Sequence, residues 1–360
     1  MSSMSRATNV SAMSIMYDPA AVAPLRHGGD LEEARRLFPR AEQPFVDLST
    51  GINPHAYPIP LLSPSIFQRL PTAVERLSTI AAAAYGAPSA AHVVPAPGTQ
   101  MLLRLVTTLV PPRRAAVLGP TYGEHTRSAA QAGHEVREID TLDNLTGAEL
   151  VTVVNPNNPD GLLMSRDALL ALANDLRLRG GMLVVDEAFM DVGPLGASLA
   201  GDVACGNIVV LRSFGKFFGL AGLRLGFAIA APPIARQLTA SLGPWAVSGP
   251  AIAVGEAALA DTRWGDSMRG QLAEEAKKLD QHLTCADLQV VGGTSLFRLV
   301  RTPLATEWFG HLGRAGIFVR RFVEQSSWLR FGLPAGEDEW NRLHAALASF
   351  GLGVARPNNE

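Results

Sequence analysis

Short apolar runs that alternate with longer amphipathic stretches occupy the middle of this 360-residue chain. Two of the runs, Leu150–Val154 (LVTVV) and Met182–Val185 (MLVV), are apolar on both faces of a strand, which is typical of a sheet covered by helices on both sides. Strands that alternate with helices form βαβ units and a mostly parallel sheet, so we predict an α/β fold. The predicted strands are Ala115–Leu118, Leu150–Val154, Met182–Val185, Ile208–Leu211 and Leu225–Ala230, and the predicted helices are Gly98–Leu109, Tyr122–Ala132, Ser165–Arg179 and Ile234–Leu242.

The sequence pattern divides the chain into three parts. Residues 1–26 are expected to be a mobile leader, and six prolines between residues 44 and 71 favour an extended arm over a helix. We therefore predict a leader and arm over 1–71, a large domain over 72–261 and a smaller α+β domain over 262–360. The elements predicted in the smaller domain are helices Asp266–Leu283, Thr306–Ala315 and Glu337–Phe350, and strands Leu288–Val291, Ser295–Val300, Ile317–Arg320 and Trp328–Phe331.

Composition excludes several classes of protein. Apolar residues make up 47% of the chain and the formal net charge is −2, which argues against a disordered chain and against a broad basic surface for nucleic acid. Two cysteines exclude a disulfide framework and a cysteine-rich zinc site, and they fit a reducing cytoplasm. The chain has no apolar run of membrane-spanning length, and its first twenty residues lack the apolar core of a signal peptide. We expect a cytoplasmic protein without a metal site.

Five residues near the predicted strand ends suit an anion. A helix that opens with Gly98, Thr99 and Gln100 offers backbone N–H groups and a hydroxyl. Ser213 and Arg224 lie on either side of a lysine after another strand, and an arginine is a bidentate partner for phosphate. Because ligands bind at the carboxyl ends of parallel strands, these residues predict a phosphate site there.

Four further residues suit an aromatic aldehyde. Lys216 is a candidate amine nucleophile that forms a Schiff base. Asp186 follows a buried strand and could hold a proton on a ring nitrogen, Asn158 in the sequence NPNNPDG could donate to a phenolic oxygen, and Tyr122 could stack on the ring. Phosphate, aldehyde, ring nitrogen and phenolic oxygen together describe pyridoxal 5′-phosphate (PLP).

The motifs NPNNPDG (155–161), DEAF (186–189) and S-x-x-K…R (213–224) resemble those of fold-type-I PLP enzymes of the aminotransferase class I/II group. The resemblance extends from about residue 27 to residue 350. It implies the fold-type-I PLP-dependent transferase fold, with a mostly parallel seven-stranded sheet in a large domain and a smaller α+β domain. It also implies a homodimer in which the arm, residues 44–71, joins the small domain and reaches the neighbouring subunit.

The resemblance gives each candidate a role. It implies that Lys216 is the cofactor lysine, that Asp186 pairs with the pyridinium nitrogen and that Asn158 contacts the ring 3′-oxygen. Tyr122 would stack on the ring, and Arg330 in Trp-Leu-Arg-Phe-Gly would bind the substrate α-carboxylate. The residues implied in holding the cofactor phosphate are Thr99, Ser213 and Arg224, beside Gly98 and Gln100.

Two branches of this group fit the sequence. Histidinol-phosphate aminotransferases share the core motifs, whereas L-threonine-O-3-phosphate decarboxylases of cobalamin biosynthesis resemble the chain in further features. These are the start His27-Gly28-Gly29, the segment DLSTGINP (47–54), the phenylalanine Phe189 and the sequence PWAV (244–247). The resemblance favours the decarboxylase with a small phosphorylated amino acid as substrate. Transamination stays open, because no motif shows which bond of the substrate is aligned for cleavage.

The substrate residues implied by the resemblance are His27, Asn53 and either Arg320 or Arg321, which would hold the substrate phosphate. Two positions depart from the pattern of the group. Leu70 replaces a tyrosine that reaches the cofactor phosphate across the dimer, so one hydrogen bond is expected to be lost. His125 stands where a tyrosine is common, and the sequence leaves its role open.

Overall fold

The computed structural model describes residues 27–72, 74–145 and 147–351, so the predicted leader at 1–26 lies outside the described residues. The helices are α1 Leu31–Leu37, α2 Ser65–Gln68, α3 Val74–Tyr85, α4 Thr99–Val106, α5 Glu124–Gln131, α6 Arg166–Leu178, α7 Phe214–Phe217, α8 Pro232–Leu242, α9 Gly249–Ala260, α10 Thr262–Cys285, α11 Ala305–Arg314 and α12 Glu337–Ser349. The strands are β1 Val46–Leu48, β2 Val93–Ala96, β3 Arg114–Leu118, β4 Glu135–Ile139, β5 Leu150–Val154, β6 Met182–Asp186, β7 Ile208–Ser213, β8 Gly226–Ala230, β9 Gln289–Thr294, β10 Phe297–Arg301, β11 Ile317–Arg321 and β12 Trp328–Gly332.

The larger sheet has seven strands in the order β2-β8-β7-β6-β5-β3-β4. Strands β7, β6, β5, β3 and β4 run parallel, and β8 runs antiparallel to both of its neighbours. Every residue of β5 and β6 is buried, as expected for strands that are apolar on both faces. The prediction of an α/β fold with a mostly parallel seven-stranded sheet is confirmed.

The sequence analysis missed two strands of this sheet, β2 and β4, because both lie at its edges. β2 contains Pro95, which has no N–H to donate, and an edge strand tolerates a proline since only one side of the strand is paired. β4 (EVREI) is largely exposed and therefore carries charged residues instead of an apolar run.

The smaller sheet has the order β1-β11-β12-β10-β9. It is antiparallel except at β1, which comes from the proline-rich arm and pairs parallel with β11. At only three residues, β1 is too short to give a sequence pattern. The arm is also not extended throughout, since it includes the short helix α2; this corrects the prediction. Pro64 directly precedes that helix. A backbone N–H at this position would make no hydrogen bond within the helix, so a proline costs nothing there.

A buried ion network joins the carboxyl ends of β6 and β7. The Arg212 guanidinium donates to Glu187 over 3.0 Å and to Asp191 over 2.5 Å, and its carbon lies 4.4 Å from the centre of the Tyr85 ring. Burial raises the pKa of Glu187, which Arg212 opposes. All three charged groups are buried and have lost their hydration. Their contacts with one another must therefore compensate for the water that each has lost. The network fixes the end of β7, from which the next residues enter the site.

We predict that Arg212→Met lowers the free energy of unfolding by about 3–5 kcal/mol, because it leaves two carboxylates buried without their cation. Urea denaturation followed by circular dichroism measures the loss. Arg166→Met is the matched control: Arg166 pairs with Asp202 at the surface, so its removal should leave the free energy of unfolding nearly unchanged. Equal losses in the two variants would contradict the role given to the buried network.

Within residues 27–72, 74–145 and 147–351, no helix has both the length and the apolar character needed to cross a membrane.

Candidate active site

The side chains predicted from the strand ends meet at the carboxyl edge of the larger sheet. Asp186 is the last residue of β6 and Ser213 the last of β7, and the two strands are parallel neighbours. The four-residue helix α7 begins directly after Ser213 and carries Lys216. The sheet order thus brings together residues that lie far apart in the chain.

Lys216 lies in a largely desolvated position between charged groups of opposite sign. Desolvation and the nearby Arg330 and Arg224 lower the pKa of Lys216 to about 8, while Asp186 acts in the opposite direction. The Nζ atom lies 5.8 Å from the centre of the Phe189 ring. Lys216 is therefore an amine with a substantial neutral, nucleophilic fraction near neutral pH.

Asp186 is held by two contacts of its carboxylate. Oδ1 accepts a hydrogen bond from the Ala188 N–H over 3.0 Å, and Oδ2 lies 3.0 Å from His125 Nε2. Both side chains are buried. Since a carboxylate only accepts hydrogen bonds, His125 Nε2 carries the hydrogen that it donates. The contact gives His125, left open by the sequence, a structural part in orienting Asp186.

Two glycines allow a compact cradle beside Lys216. Gly98 has a φ of 86°, and a Cβ atom there would lie 2.8 Å from the Arg224 guanidinium. A Cβ at Gly226 would lie 2.7 Å from the Thr99 nitrogen, and Gly226 is the partner of Ser213 in the pairing of β7 with β8. The missing side chains therefore let the start of α4, the end of β7 and the Arg224 guanidinium approach one another closely. The donors present fit a phosphate group.

Tyr122 is fixed by neighbours at the start of α4 and α5. Its hydroxyl donates to Gln100 Oε1 over 3.1 Å, and Gln100 Nε2 donates to Glu124 Oε2 over 2.8 Å. Burial, Glu124 and Asp186 raise the pKa of Tyr122 to about 12, so the hydroxyl stays protonated. The side chain of Gln100 is thus engaged with protein groups, which leaves its backbone N–H as the group available to an anion. His27 lies against the Tyr122 ring with 5.6 Å between ring centres.

Arg330 is a buried cation held by neutral groups. Its guanidinium donates to Asn158 Oδ1 and, over 2.8 Å, to the Ser49 carbonyl oxygen, while Nε has no partner. None of the ion pairs found among the described residues includes Arg330. Desolvation and Arg320, its partner in the pairing of β11 with β12, lower the pKa of Arg330 to about 9, which Asp47 opposes. A buried, uncompensated guanidinium suits a carboxylate ligand.

Asn53, predicted to bind substrate, holds the lysine segment in place. Its backbone N–H donates to the Lys216 carbonyl oxygen over 2.9 Å, and its side-chain amide donates to the Phe217 carbonyl oxygen over 2.8 Å. Its Oδ1 accepts from the His55 N–H over 2.8 Å. Because both ends of the carboxamide are used in this way, Asn53 positions the lysine segment, and its contact with substrate stays a prediction.

The NPNNPDG loop uses most of its polar groups to support itself. Asn155 exchanges hydrogen bonds with the backbone of Met164, and Asn157 accepts from Thr121 while it donates to Asp160. Asn158 is the member of the loop that contacts Arg330. The loop therefore presents Asn158 to the site, while the side chains of Asn155 and Asn157 make hydrogen bonds that keep the loop rigid.

Sequence reasoning missed three groups that shape the site. Glu124 contacts Gln100, and Asp47 accepts hydrogen bonds from both the N–H and the hydroxyl of Ser49. Ser49 in turn accepts from the Gly29 N–H over 2.7 Å. The sequence D-x-S is a signal of a local turn, whereas nothing near Glu124 in the sequence indicates its partner in α4.

Comparison with known families matches residues 69–347 to the model for aminotransferase class I and II. The chain belongs to the aminotransferase class I and II family. This is a family of PLP enzymes. The larger part of the chain, including every strand of the seven-stranded sheet, lies within the match.

Two relatives match almost the whole chain. A threonine-phosphate decarboxylase of Pseudomonas aeruginosa is 41% identical over 332 residues, which cover 91% of this chain and 98% of the relative. A protein of the same name from a Sinorhizobium species is 42% identical over 337 residues, covering 92% and 99%. Among solved structures, a histidinol-phosphate aminotransferase of Sinorhizobium meliloti in complex with PLP superposes with a TM-score of 0.74 at 21% identity, covering 94% of this chain and 98% of that one. At that identity the likeness shows the same fold.

We predict that Lys216 of the cofactor-free protein reacts with an amine-acylating reagent with a midpoint near pH 8, well below the ordinary lysine value of 10.5. Desolvation favours the neutral amine, which is the reactive form. The chain has two other lysines, Lys277 and Lys278, so peptide mass spectrometry resolves the site. Lys277→Arg should leave the midpoint unchanged and Lys216→Arg should abolish it. A midpoint above pH 10 would contradict the environment described.

Proposed function

We propose that the protein is a PLP-dependent decarboxylase that converts L-threonine O-3-phosphate into (R)-1-amino-2-propanol O-2-phosphate for cobalamin biosynthesis in the cytoplasm. The observation that carries the proposal is the match, over more than nine tenths of the chain, to two relatives named threonine-phosphate decarboxylase. The arrangement of cations around Lys216 supports it, since it provides separate places for the anionic groups of cofactor and substrate.

The residues at the sheet edge fit PLP. In this proposal the cradle of Gly98, Thr99, Ser213 and Arg224, with the Gln100 N–H, holds the phosphate. Lys216 would bind the aldehyde carbon, Tyr122 would cover one face of the ring and Asn158 would contact its phenolic oxygen. When bound, PLP supplies an electron sink for the pair left by bond cleavage at the substrate Cα.

We assign the acid–base roles to Asp186 and Lys216. Asp186, oriented by His125, keeps a proton on the ring nitrogen because a carboxylate stabilises the cationic form of the ring. Lys216 would be free once the substrate amine has taken its place on the cofactor, and it would then be the proton donor to Cα, since a group with a pKa of about 8 gains and loses a proton readily near the working pH.

Substrate binding is divided between two arginines of neighbouring strands. Arg330 receives the α-carboxylate in the position where it now lacks a carboxylate partner. Arg320 lies directly across from Arg330 in the pairing of β11 with β12, and we assign it the substrate phosphate, with His27 beside the pocket. Arg321 has its guanidinium 4.6 Å from the Phe309 ring centre, which supports Arg320 over Arg321 because successive strand residues face opposite sides.

We predict that the protein with PLP releases one CO₂ per threonine phosphate consumed, over many turnovers and with no 2-oxo acid present. Arg320→Gln should lower kcat/KM by about 10- to 150-fold, the effect of losing a charge-assisted contact. Arg321→Gln is the matched control and should stay within about twofold. If histidinol phosphate instead converts the cofactor to its amine form, and 2-oxoglutarate restores it without CO₂, the protein is an aminotransferase and the proposal fails.

We further propose a homodimer formed through the arm. Residues 59–70 expose the large apolar side chains of Ile59, Leu61, Phe67 and Leu70, an arrangement that is typical of an interaction surface. Leu70 is also the residue that replaces the expected tyrosine, so at this position the arm offers an apolar contact in place of a hydroxyl.

Light scattering should therefore give twice the mass of one chain. Leu61→Asp combined with Phe67→Asp should shift the protein toward monomer, because a carboxylate buried in an apolar interface is costly. Leu195→Asp, at an equally exposed leucine outside the arm, is the control and should leave the mass unchanged. A wild-type monomer that turns over threonine phosphate would exclude the dimer while leaving the activity in place.

A further inference from the structure

Four side chains at the entrance of the site form a closed ring of contacts. Glu124 Oε2 accepts from Gln100 Nε2 over 2.8 Å, and Gln100 Oε1 accepts from the Tyr122 hydroxyl over 3.1 Å. The Tyr122 ring contacts the His27 ring, and His27 Nε2 lies 3.3 Å from Glu124 Oε1. We call this set the Glu124 ring. Its members come from three separate parts of the chain, and Glu124 is the one that contacts two of the others through different oxygens.

The hydrogen bonds of the Glu124 ring have a fixed direction. A carboxylate only accepts, so the nitrogen of the Gln100 amide must face Glu124 and its oxygen must face Tyr122. The Tyr122 hydroxyl must then donate to that oxygen. Rotation of the aromatic ring away from its place would leave the Gln100 oxygen without this donor. Glu124 thus determines the orientation of Tyr122 although the two side chains are joined only through Gln100.

The second oxygen of Glu124 faces the segment that begins at His27, and it also lies 3.5 Å from Arg127 Nη1. A Cβ atom at Gly28 would overlap the Ser49 carbonyl oxygen, and the Gly29 N–H donates to the Ser49 hydroxyl over 2.7 Å. The segment 27–29 is therefore pressed onto Ser49 on one side and onto Glu124 on the other. Ser49 also accepts a hydrogen bond from Arg330, so the docked segment contacts the substrate side of the site.

We propose that Glu124 is a positioning residue that couples the docking of segment 27–29 over the site to the orientation of the Tyr122 ring. The inference rests on the proposed function in one respect, that Tyr122 covers the cofactor. Glu124 is buried and lies in the first turn of α5, where a carboxylate also stabilises the helix. A role confined to the helix would change stability alone, whereas a positioning role also changes the binding of cofactor and of substrate.

The Tyr122 half of the proposal is tested by PLP binding to the cofactor-free protein and by the visible circular dichroism of bound PLP. Glu124→Ala should raise the PLP dissociation constant about 10-fold and alter the dichroism, because Gln100 is no longer oriented. Glu124→Gln keeps an oxygen toward Gln100, so both quantities should stay within about twofold of wild type. Glu149→Gln is the matched control: Glu149 pairs with Arg113 at the amino end of β5, on the opposite edge of the sheet.

The His27 half is tested by threonine phosphate. Glu124→Gln and His27→Gln should each raise KM about 10-fold with kcat nearly unchanged, and the double variant should be no worse than either single variant, because both remove the same contact. Additive effects in the double variant would overturn the coupling. So would a Glu124→Ala protein whose PLP affinity and dichroism match those of Glu149→Gln.

The two proposals fail in distinguishable ways. If wild-type protein binds PLP but releases no CO₂ from threonine phosphate, the proposed function is wrong, while the dissociation constant and dichroism still decide the Tyr122 half. If Glu124→Ala does not fold, the Glu124→Gln and His27→Gln pair still decides the coupling.

Discussion

The site depends on keeping the Lys216 amine out of water beside two arginines. Desolvation and cationic neighbours both favour the neutral amine, so its surroundings raise the neutral, reactive fraction of the lysine above that of an exposed lysine. Arg330, one of these two arginines, is itself in an unfavourable environment, since desolvation and the nearby Arg320 lower its pKa. The arrangement persists because other parts of the chain fix the positions: the Arg212 network holds the end of β7, and Asn53 holds the residues that follow. The reactivity of the Lys216 amine therefore depends on the rigid framework that fixes its position.

Much of this framework could be predicted from sequence because its strands are buried on both faces. β5 and β6 are continuous apolar runs, and the polar residues at their ends could be placed at one edge by the geometry of a parallel sheet alone. The edge strands could not be predicted in this way, because β2 is a short run that contains a proline and β4 is largely exposed and carries charged residues. β1 could not be predicted because its partner β11 lies about 270 residues later in the chain. Three residues are also too few to show the alternation of apolar and polar residues that marks a strand.

The contacts between site residues were harder to foresee than the residues themselves. His125 meets Asp186 across 61 positions, and Arg330 meets Ser49 across 281. Such pairs depend on how two sheets and the arm approach, which no local pattern records. Asn53 shows a role that sequence did not reveal: the lysine segment needs donors for its buried carbonyl groups, and Asn53 supplies one. The packing of Gly51 between two phenylalanine rings could not be predicted from sequence either. Gly51 passes between Phe189 and Phe297, where a Cβ would lie 2.9 Å and 2.8 Å from the two rings.

The parallel pairing of β1 with β11 has a consequence for the order in which the protein is completed during translation. The two strands are separated by about 270 residues, so β1 leaves the ribosome long before its partner exists. At typical bacterial and eukaryotic speeds of about 5–20 residues per second, that wait lasts on the order of 15–50 s. The contacts of Asn53 with the Lys216 segment become possible about 100 residues earlier than the pairing of β1. The nascent chain can therefore anchor the arm at Asn53, five residues after β1, before the partner strand of β1 has been made.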